Sequence, residues 1–209
     1  MVPVWMVAAR KVKQNLEARQ VPMLAMGAAF TFLIMMFNVP IPGGTTGHAV
    51  GGALVAILLG PWAAVIAVSI ALAVQALLFG DGGITAYGAN CLNMAVVLPF
   101  AGFYTYKLVS GKAALGSTRR VWAAGLGGYI GLSLASALAG FEFGLQPLLH
   151  HTADGHSLYC PYGLSVTLPA MLGGHMLAFS WVEALVTTLV VKYLQKYSPE
   201  LFPKDNGST

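Results

Sequence analysis

The chain has 209 residues, of which 57% are apolar and only 9% are Asp, Glu, Lys or Arg, whereas soluble domains average roughly 45–50% and about 25%. This composition excludes an ordinary soluble domain and indicates a polytopic, all-α membrane helix bundle, because continuous apolar runs of about twenty residues are long enough to cross a bilayer. The net charge of +4 does not indicate a nucleic-acid partner, since the basic residues form separate clusters rather than one patch.

In chain order, the apolar segments predict about six membrane spans and one partial helix. Residues 1–9 are apolar and run into Arg10 and Lys11, but they would cover only about 13 Å of a hydrocarbon core roughly 30 Å thick. We interpret them as the remnant of an N-terminal helix, and we expect that the native chain starts earlier, with the missing end on the outer side. Longer apolar runs follow at about 21–38, 92–109, 121–141 and 166–191, and over 48–79.

The stretch at 48–79 is interrupted by Gly60-Pro61-Trp62, and this interruption decides the topology. A single span here would place the basic residues of 107–120 on the opposite side from those of 10–19, against the positive-inside rule. A helical hairpin that turns at Gly60-Pro61 removes the conflict. Its first arm is too short to cross alone, so we expect this arm to be buried among other helices.

The basic residues predict which segments face the cytoplasm. We expect one transmembrane domain over 1–209, with inner loops at 10–20, 60–62 and 107–120 and outer loops at 39–47, 80–91 and 142–165. Residues 192–209 are predicted to be a cytoplasmic tail that ends in the disordered sequence SPELFPKDNGST. The basic clusters are Arg10, Lys11, Lys13 and Arg19, then Lys107, Lys112, Arg119 and Arg120, then Lys192, Lys196 and Lys204.

The histidines are the strongest chemical signal, because all five map to the outer loops or the nearest half of the membrane. Neutral imidazole is the commonest ligand for Ni, Cu, Zn and Co, so the pattern favours capture of a divalent metal. We favour a ligand role for His48, which follows a loop stiffened by prolines and opens a buried helix. The spacing of the others matches no zinc signature, and they are weaker candidates. These weaker candidates are His150, His151, His156 and His175.

Polar groups in the outer loops are candidates for supporting a ligand or a loop. Thr46 precedes His48, and Asp81 and Asn90 lie in the glycine-rich second outer loop, which lacks the Lys-Ser/Thr pair of a phosphate-binding Walker motif. For Asp81 a turn-forming role stays equally open. Glu183 on the last helix should face protein rather than lipid.

Two further features concern contacts between segments. The Ala25-x-x-x-Ala29 spacing is suited to close contact with a partner helix. Cys91 and Cys160 could form one bridge on an oxidising face or stay unpaired, and both alternatives remain open.

Four further motifs follow one another in the first half of the chain: GGTTGHAVGGAL at 43–54, LGPWA at 59–63, QALLFGDGGITA at 75–86 and GAN at 88–90. These motifs resemble the NikM/CbiM family, the substrate-binding S components of energy-coupling factor (ECF) transporters for nickel and cobalt. The resemblance runs from about residue 20 to 110, and more loosely to His175 and the Trp181-Val182-Glu183-Ala184 segment.

The resemblance implies a multi-pass subunit of a prokaryotic plasma or inner membrane that captures Ni²⁺ or Co²⁺ outside as the transported substrate. Its implied partners are a transmembrane coupling subunit, cytoplasmic ATPases and a small accessory membrane subunit. In that family the metal is held by the N-terminal amine, by the amide and imidazole of a His at the second position, and by a loop His. Only the loop His has a counterpart here, His48, because this chain begins Met1-Val2-Pro3 instead of Met-His-Ile.

Two other functions remain alternatives at this point. An intramembrane metalloenzyme would use His48, Asp81 and His175, although no established catalytic spacing supports it. An S component for an organic vitamin would need aromatic side chains that converge on the outer cavity.

Overall fold

The computed structural model describes residues 1–41 and 45–203, which fold into a bundle of seven helices with one small β-hairpin. Four helices of the described residues are each long and apolar enough to cross a membrane, so the chain is a multi-pass membrane protein. This confirms the predicted all-α membrane bundle. The helix Val21–Met35 is apolar but shorter. The elements are α1 Val2–Asn15, α2 Val21–Met35, β1 Val39–Ile41, β2 Thr45–Gly47, α3 Gly52–Leu59, α4 Pro61–Phe79, α5 Tyr87–Ser110, α6 Thr118–Leu149 and α7 Leu164–Tyr197.

Helix α3 is the centre of the bundle, and it forms the predicted hairpin with α4. The chain turns at Gly60, whose φ of 86° is accessible mainly to glycine. Residues 52–57 are all buried, because α2, α4, α5, α6 and α7 surround this eight-residue helix. A helix too short to span the membrane is therefore shielded from lipid by its neighbours, as expected.

Small residues allow α3, α5 and α6 to pack closely. A Cβ atom on Gly102 would lie 2.8 Å from the Ala53 side chain, and one on Gly127 would lie 2.6 Å from the carbonyl oxygen of Gly102. Such approach maximises van der Waals contact where no hydrophobic effect drives helices together. The position of α3, and of the loop that precedes it, is thus set by tight packing.

Several predicted boundaries were wrong, because helices continue past the apolar runs into polar residues that lie near the membrane surface. Helix α1 extends to Asn15, so Arg10 and Lys11 are helical rather than in a loop. Helix α6 extends to Leu149, which places Glu142 in a helix rather than in an outer loop.

The predicted tail is also partly ordered. Helix α7 continues to Tyr197, and a short 3₁₀ turn follows at Pro199–Leu201. Phe202 is only 5% exposed and packs in a cluster with Leu54, Ile57 and Tyr106. This aromatic anchor explains why the first part of the predicted disordered sequence is folded, whereas Lys204 lies outside the described residues.

The segment predicted as the first outer loop contains two paired strands, which were not predicted from the sequence. Strands β1 and β2 are antiparallel, with Pro40 opposite Thr46. Residues 42–44, which include the predicted loop glycines Gly43 and Gly44, lie outside the described residues. The hairpin leads directly into His48.

Candidate metal centre

A cavity of about 890 Å³ opens at the end of the bundle that carries the β-hairpin and the loops at 80–86 and 150–163. Its walls come from α4, α5, α6 and α7. Asp81 and Glu142 contribute carboxylates, and no Lys or Arg is among the described residues that line it. A concave site with carboxylates and no competing cation favours a positively charged ligand.

Three π-helical segments bring polar side chains to this cavity. They lie at Gln75–Phe79, Cys91–Val97 and His175–Phe179, and each includes one buried polar residue of the cavity wall, namely Gln75, Asn93 or His175. Single-turn π-helical segments are rare and concentrate at functional sites, because the extra residue changes the direction of the side chains. The concentration of three such segments around one cavity marks it as the functional part of the bundle.

His48 and His175 both line the cavity, and each is fixed through the same ring nitrogen. The Nδ1 atom of His48 lies 3.1 Å from the carbonyl oxygen of Ala49, and that of His175 lies 2.9 Å from the carbonyl oxygen of Met171. Because a carbonyl can only accept, each Nδ1 must carry the hydrogen, which leaves a lone pair on each Nε2. Metal-binding histidines in proteins commonly have this arrangement.

The electrostatic surroundings of His48 also suit a metal ligand. Burial lowers the pKa of its imidazole, and this effect exceeds the opposing influence of the Asp81 carboxylate. Burial therefore favours the neutral ring, which is the form of imidazole that binds metals.

The segment around His48 is held by α7 through close contacts. A Cβ atom on Gly47 would lie 2.2 Å from the Phe179 ring, and one on Gly174 would lie 2.8 Å from Ile41. Phe179 also packs against His175, with ring centroids 5.4 Å apart. Helix α7 therefore carries His175 and also contacts both strands of the β-hairpin that precedes His48.

Glu183 provides a further link between α7 and this segment. It is completely buried, as predicted for a residue that faces protein. Its Oε2 accepts hydrogen bonds from the backbone N–H groups of Val50, at 2.7 Å, and Gly51, at 2.8 Å. The backbone directly after His48 is thus tied to the last helix.

The predicted supporting residues all lie on the cavity. Thr46 is in β2, two residues before His48. Asn90 donates to the carbonyl oxygen of Gly82 at 3.0 Å, which ties together the two ends of the second outer loop. Asp81 is close enough to His48 to influence its charge.

The histidines of the segment at 150–163 occupy different positions relative to the cavity. His150 reaches the cavity edge, where it packs against Tyr159. His151 and His156 are exposed and belong to a small turn closed by hydrogen bonds to Thr152. Within the described chain, no group of three or more His, Cys, Asp and Glu side chains is placed to hold a metal. His48 and His175 alone therefore do not complete a coordination sphere.

Among the remaining predicted residues, Cys160 lines the cavity, whereas Ala25 and Ala29 do not. Ala25 and Ala29 are exposed on α2, away from the bundle interior, so this small-residue surface is accessible to another helix. Both cysteines are free, Cys91 buried and Cys160 half-buried.

Three cavity residues were missed in the sequence. Asn93 donates to Glu142 at 2.6 Å across α5 and α6, and Gln75 lies on α4. Gln75 and Asn93 interrupt apolar runs, and a polar residue at membrane depth is itself a functional signal. Glu142 was missed because its helix was predicted to end at residue 141.

Comparison with known proteins finds one family along nearly the whole chain. The model of the family CbiM, described as the cobalt uptake substrate-specific transmembrane region, matches residues 1–201. The chain is 52% identical over 203 residues to a probable fused nickel transport protein, LarMN, of Lactiplantibacillus plantarum, covering 95% of this chain and 60% of the relative. It is 54% identical over 200 residues to the fused nickel transport protein NikMN of Rhodobacter capsulatus, covering 96% of this chain and 58% of the relative.

The chain therefore spans about 60% of the length of these two relatives. A crystal structure of a truncated transition metal transporter is 52% identical and superposes with a TM-score of 0.89, covering 94% of this chain and 90% of that one. With a family match that extends over residues 1–201 and this agreement in fold, the chain belongs to the CbiM family.

Proposed function

We propose that this chain is the substrate-binding membrane unit of an ECF-type transporter, which captures Ni²⁺ or Co²⁺ on the outer side for ATP-driven uptake. The observation that carries the proposal is the pair His48 and His175, each with Nδ1 bonded to a backbone carbonyl and Nε2 left as a free ligand on one cavity. The relatives of this chain are nickel transport proteins, which supports transport over the metalloenzyme alternative.

In this proposal, His48 is the principal metal ligand. Thr46 and Asn90 support the two loops beside it, and Asp81 supplies a negative charge that attracts the cation. His175 is a second nitrogen donor on the same cavity. Nitrogen donors favour Ni²⁺, Co²⁺ and Cu²⁺ over cations that prefer oxygen, such as Mg²⁺ and Ca²⁺.

The start of α1 packs against one residue of the cavity wall. Trp5 stacks on Tyr87 with ring centroids 5.6 Å apart, and Tyr87 lines the cavity.

The transport cycle needs partners in this proposal, since the sequence contains no Walker motif with which to bind ATP. Cytoplasmic ATPases and a transmembrane coupling subunit would provide the energy and the inward step, with a small accessory membrane subunit. The exposed Ala25 and Ala29 of α2 are the surface we assign to the coupling subunit. The basic segments face the cytoplasm and the cavity faces outward.

Calorimetric titration of the purified chain with Ni²⁺ tests the proposal directly. We expect one site per chain, its loss in His48→Ala, and tighter binding in a version extended by one helix that begins Met-His-Ile. Glu200→Gln, a change in the 3₁₀ turn after α7, is the matched control and should bind as the parent does. Unchanged binding by His48→Ala would exclude His48 as the ligand and refute the proposed site.

One observation favours a second candidate, an organic vitamin as substrate. The cavity volume of about 890 Å³ lies within the range of small-molecule sites. Four aromatic residues also line it, namely Tyr87, Phe143, Tyr159 and Tyr162. Mass spectrometry of ligand extracted from the purified protein separates the two candidates, because an organic substrate would be recovered in the absence of metal.

A further inference from the structure

Glu183 lies where an ionisable residue needs a specific structural reason. It is 0% exposed in the interior of the bundle, on a helix that crosses the membrane. Burial of a carboxylate at this depth is costly unless hydrogen-bond donors compensate for the lost water. The backbone N–H groups of Val50 and Gly51 are such donors, at 2.7 and 2.8 Å.

The carboxylate acts as an N-terminal cap that α3 lacks in its own sequence. The residue before the helix is Gly51, with φ of 77°, and no side chain from α3 or its flank caps the helix. The first N–H groups of a helix have no internal partner, so an acceptor is favourable at this end. Glu183 supplies this acceptor from a position 132 residues later in the chain.

The cap fixes the backbone that presents His48. Residues 48–50 have no regular secondary structure, and Val50 is only two residues from His48. The imidazole is itself tied to the carbonyl oxygen of Ala49, between these two positions. The orientation of the Nε2 lone pair therefore follows the backbone that Glu183 holds.

We propose that Glu183 is a positioning residue for the metal site, acting on His48 through the backbone of Val50 and Gly51. The inference rests on the proposed function, in which His48 binds the metal. A residue that holds a ligand in its binding orientation lowers the entropy lost when the metal binds. Glu183 makes this contribution without touching the metal.

The test compares two substitutions at one position with a control on the same helix. Ni²⁺ affinity and the visible absorption spectrum of the bound metal are measured for the purified chain, Glu183→Ala and Glu183→Gln. Thr187→Val is the control, because Thr187 is also fully buried on α7 and its hydroxyl has no hydrogen-bond partner among the described residues. Thermal unfolding in detergent is recorded for each variant.

We expect Glu183→Ala to bind Ni²⁺ about 10–100-fold more weakly, as is typical when a group that orients a metal ligand is lost, with a changed absorption spectrum. Glu183→Gln retains a carbonyl oxygen that accepts both N–H groups, so it should restore most of the affinity and the parental spectrum. If Glu183→Ala fails to fold, the Gln variant still decides, since a parental spectrum and near-parental affinity are required of it.

Three results would overturn the inference. The first is parental affinity and spectrum in a folded Glu183→Ala protein, the second is a large loss of affinity or a changed spectrum in Glu183→Gln, and the third is equal loss of binding in Thr187→Val. Failure of the proposed function would be recognised separately, because His48→Ala would then keep its Ni²⁺ affinity. If His48→Ala loses Ni²⁺ and Glu183→Ala does not, only the positioning role is wrong.

Discussion

The two groups of histidines in this protein differ in how firmly their backbone is held. Helix α7 contacts the segment at 45–51 through Phe179 and Glu183, and the His48 ring in this segment is hydrogen-bonded to a backbone carbonyl. The loop at 150–163 forms a small exposed turn that is closed mainly by its own hydrogen bonds. Both groups carry the same type of candidate metal ligand, because both contain imidazoles in predicted outer loops.

The comparison shows that packing separates a candidate ligand from a surface histidine. Binding a small cation tightly requires nitrogens that are held within a fraction of an ångström of the binding geometry. A buried segment supplies this rigidity before the metal arrives, whereas an exposed loop must be ordered by the metal itself. We therefore expect substitutions around 45–51 to alter metal binding far more than substitutions around 150–163.

The largest loss of Ni²⁺ affinity in this comparison should come from Gly47→Ala, which tests the packing of α7 against the segment at 45–51. The new Cβ atom would meet the Phe179 ring at 2.2 Å and Ile41 at 2.7 Å, so the ring must move. Such overpacking costs about 1–3 kcal/mol of folding stability. Because Phe179 also contacts His175, Ni²⁺ affinity measured by calorimetry should fall by at least about tenfold.

Gly88→Ala is the matched control, because nothing lies within 4 Å of a Cβ atom at Gly88. It should leave both the melting temperature and the Ni²⁺ affinity unchanged. Parental Ni²⁺ affinity in Gly47→Ala would show that the close packing around Gly47 does not affect the metal site. The conclusion that packing distinguishes the two groups of histidines would then be wrong.

A smaller effect is expected from His175→Ala, which removes the second nitrogen donor and leaves Glu183 to hold the segment at 45–51 through Val50 and Gly51. The loss of one imidazole should weaken Ni²⁺ binding by about tenfold, within the usual range for a group in or next to a metal site. Isothermal titration gives the affinity, and the ligand-field spectrum of the bound metal shows whether a donor has been exchanged. An identical spectrum and affinity would assign His175 to the cavity wall alone.

Much of the fold could be predicted from the sequence because membrane insertion depends on simple rules. The apolar runs gave the helices, and the positive-inside rule together with Gly60 and Pro61 gave the buried hairpin. Helix ends were predicted poorly, since hydropathy falls at the membrane surface while backbone hydrogen bonding continues, as in α6 beyond residue 141. The anchor at Phe202 depends on a contact with α3 that no local pattern contains.

The candidate site was predicted less completely than the fold. His48 and His175 could be named because histidine is rare at membrane depth. Their shared cavity could not, because it depends on three π-helical segments, and hydropathy carries no signal for the extra residue of a π-turn. The contact of Glu183 with Val50 was equally hidden, since it joins residues 133 positions apart.

The smallest effect should come from the double substitution His151→Ala and His156→Ala, which removes the two exposed imidazoles of the third loop. Neither side chain is among the described residues that line the cavity, and both belong to a turn whose backbone hydrogen bonds would remain. Surface substitutions of this kind usually change stability by less than about 0.5 kcal/mol. Calorimetry should therefore give the parental affinity for the first Ni²⁺ bound, and any weaker second binding event should disappear. A loss of the tight event would mean that the exposed loop, rather than the segment held by α7, provides the ligands, and it would reverse the comparison between the two regions.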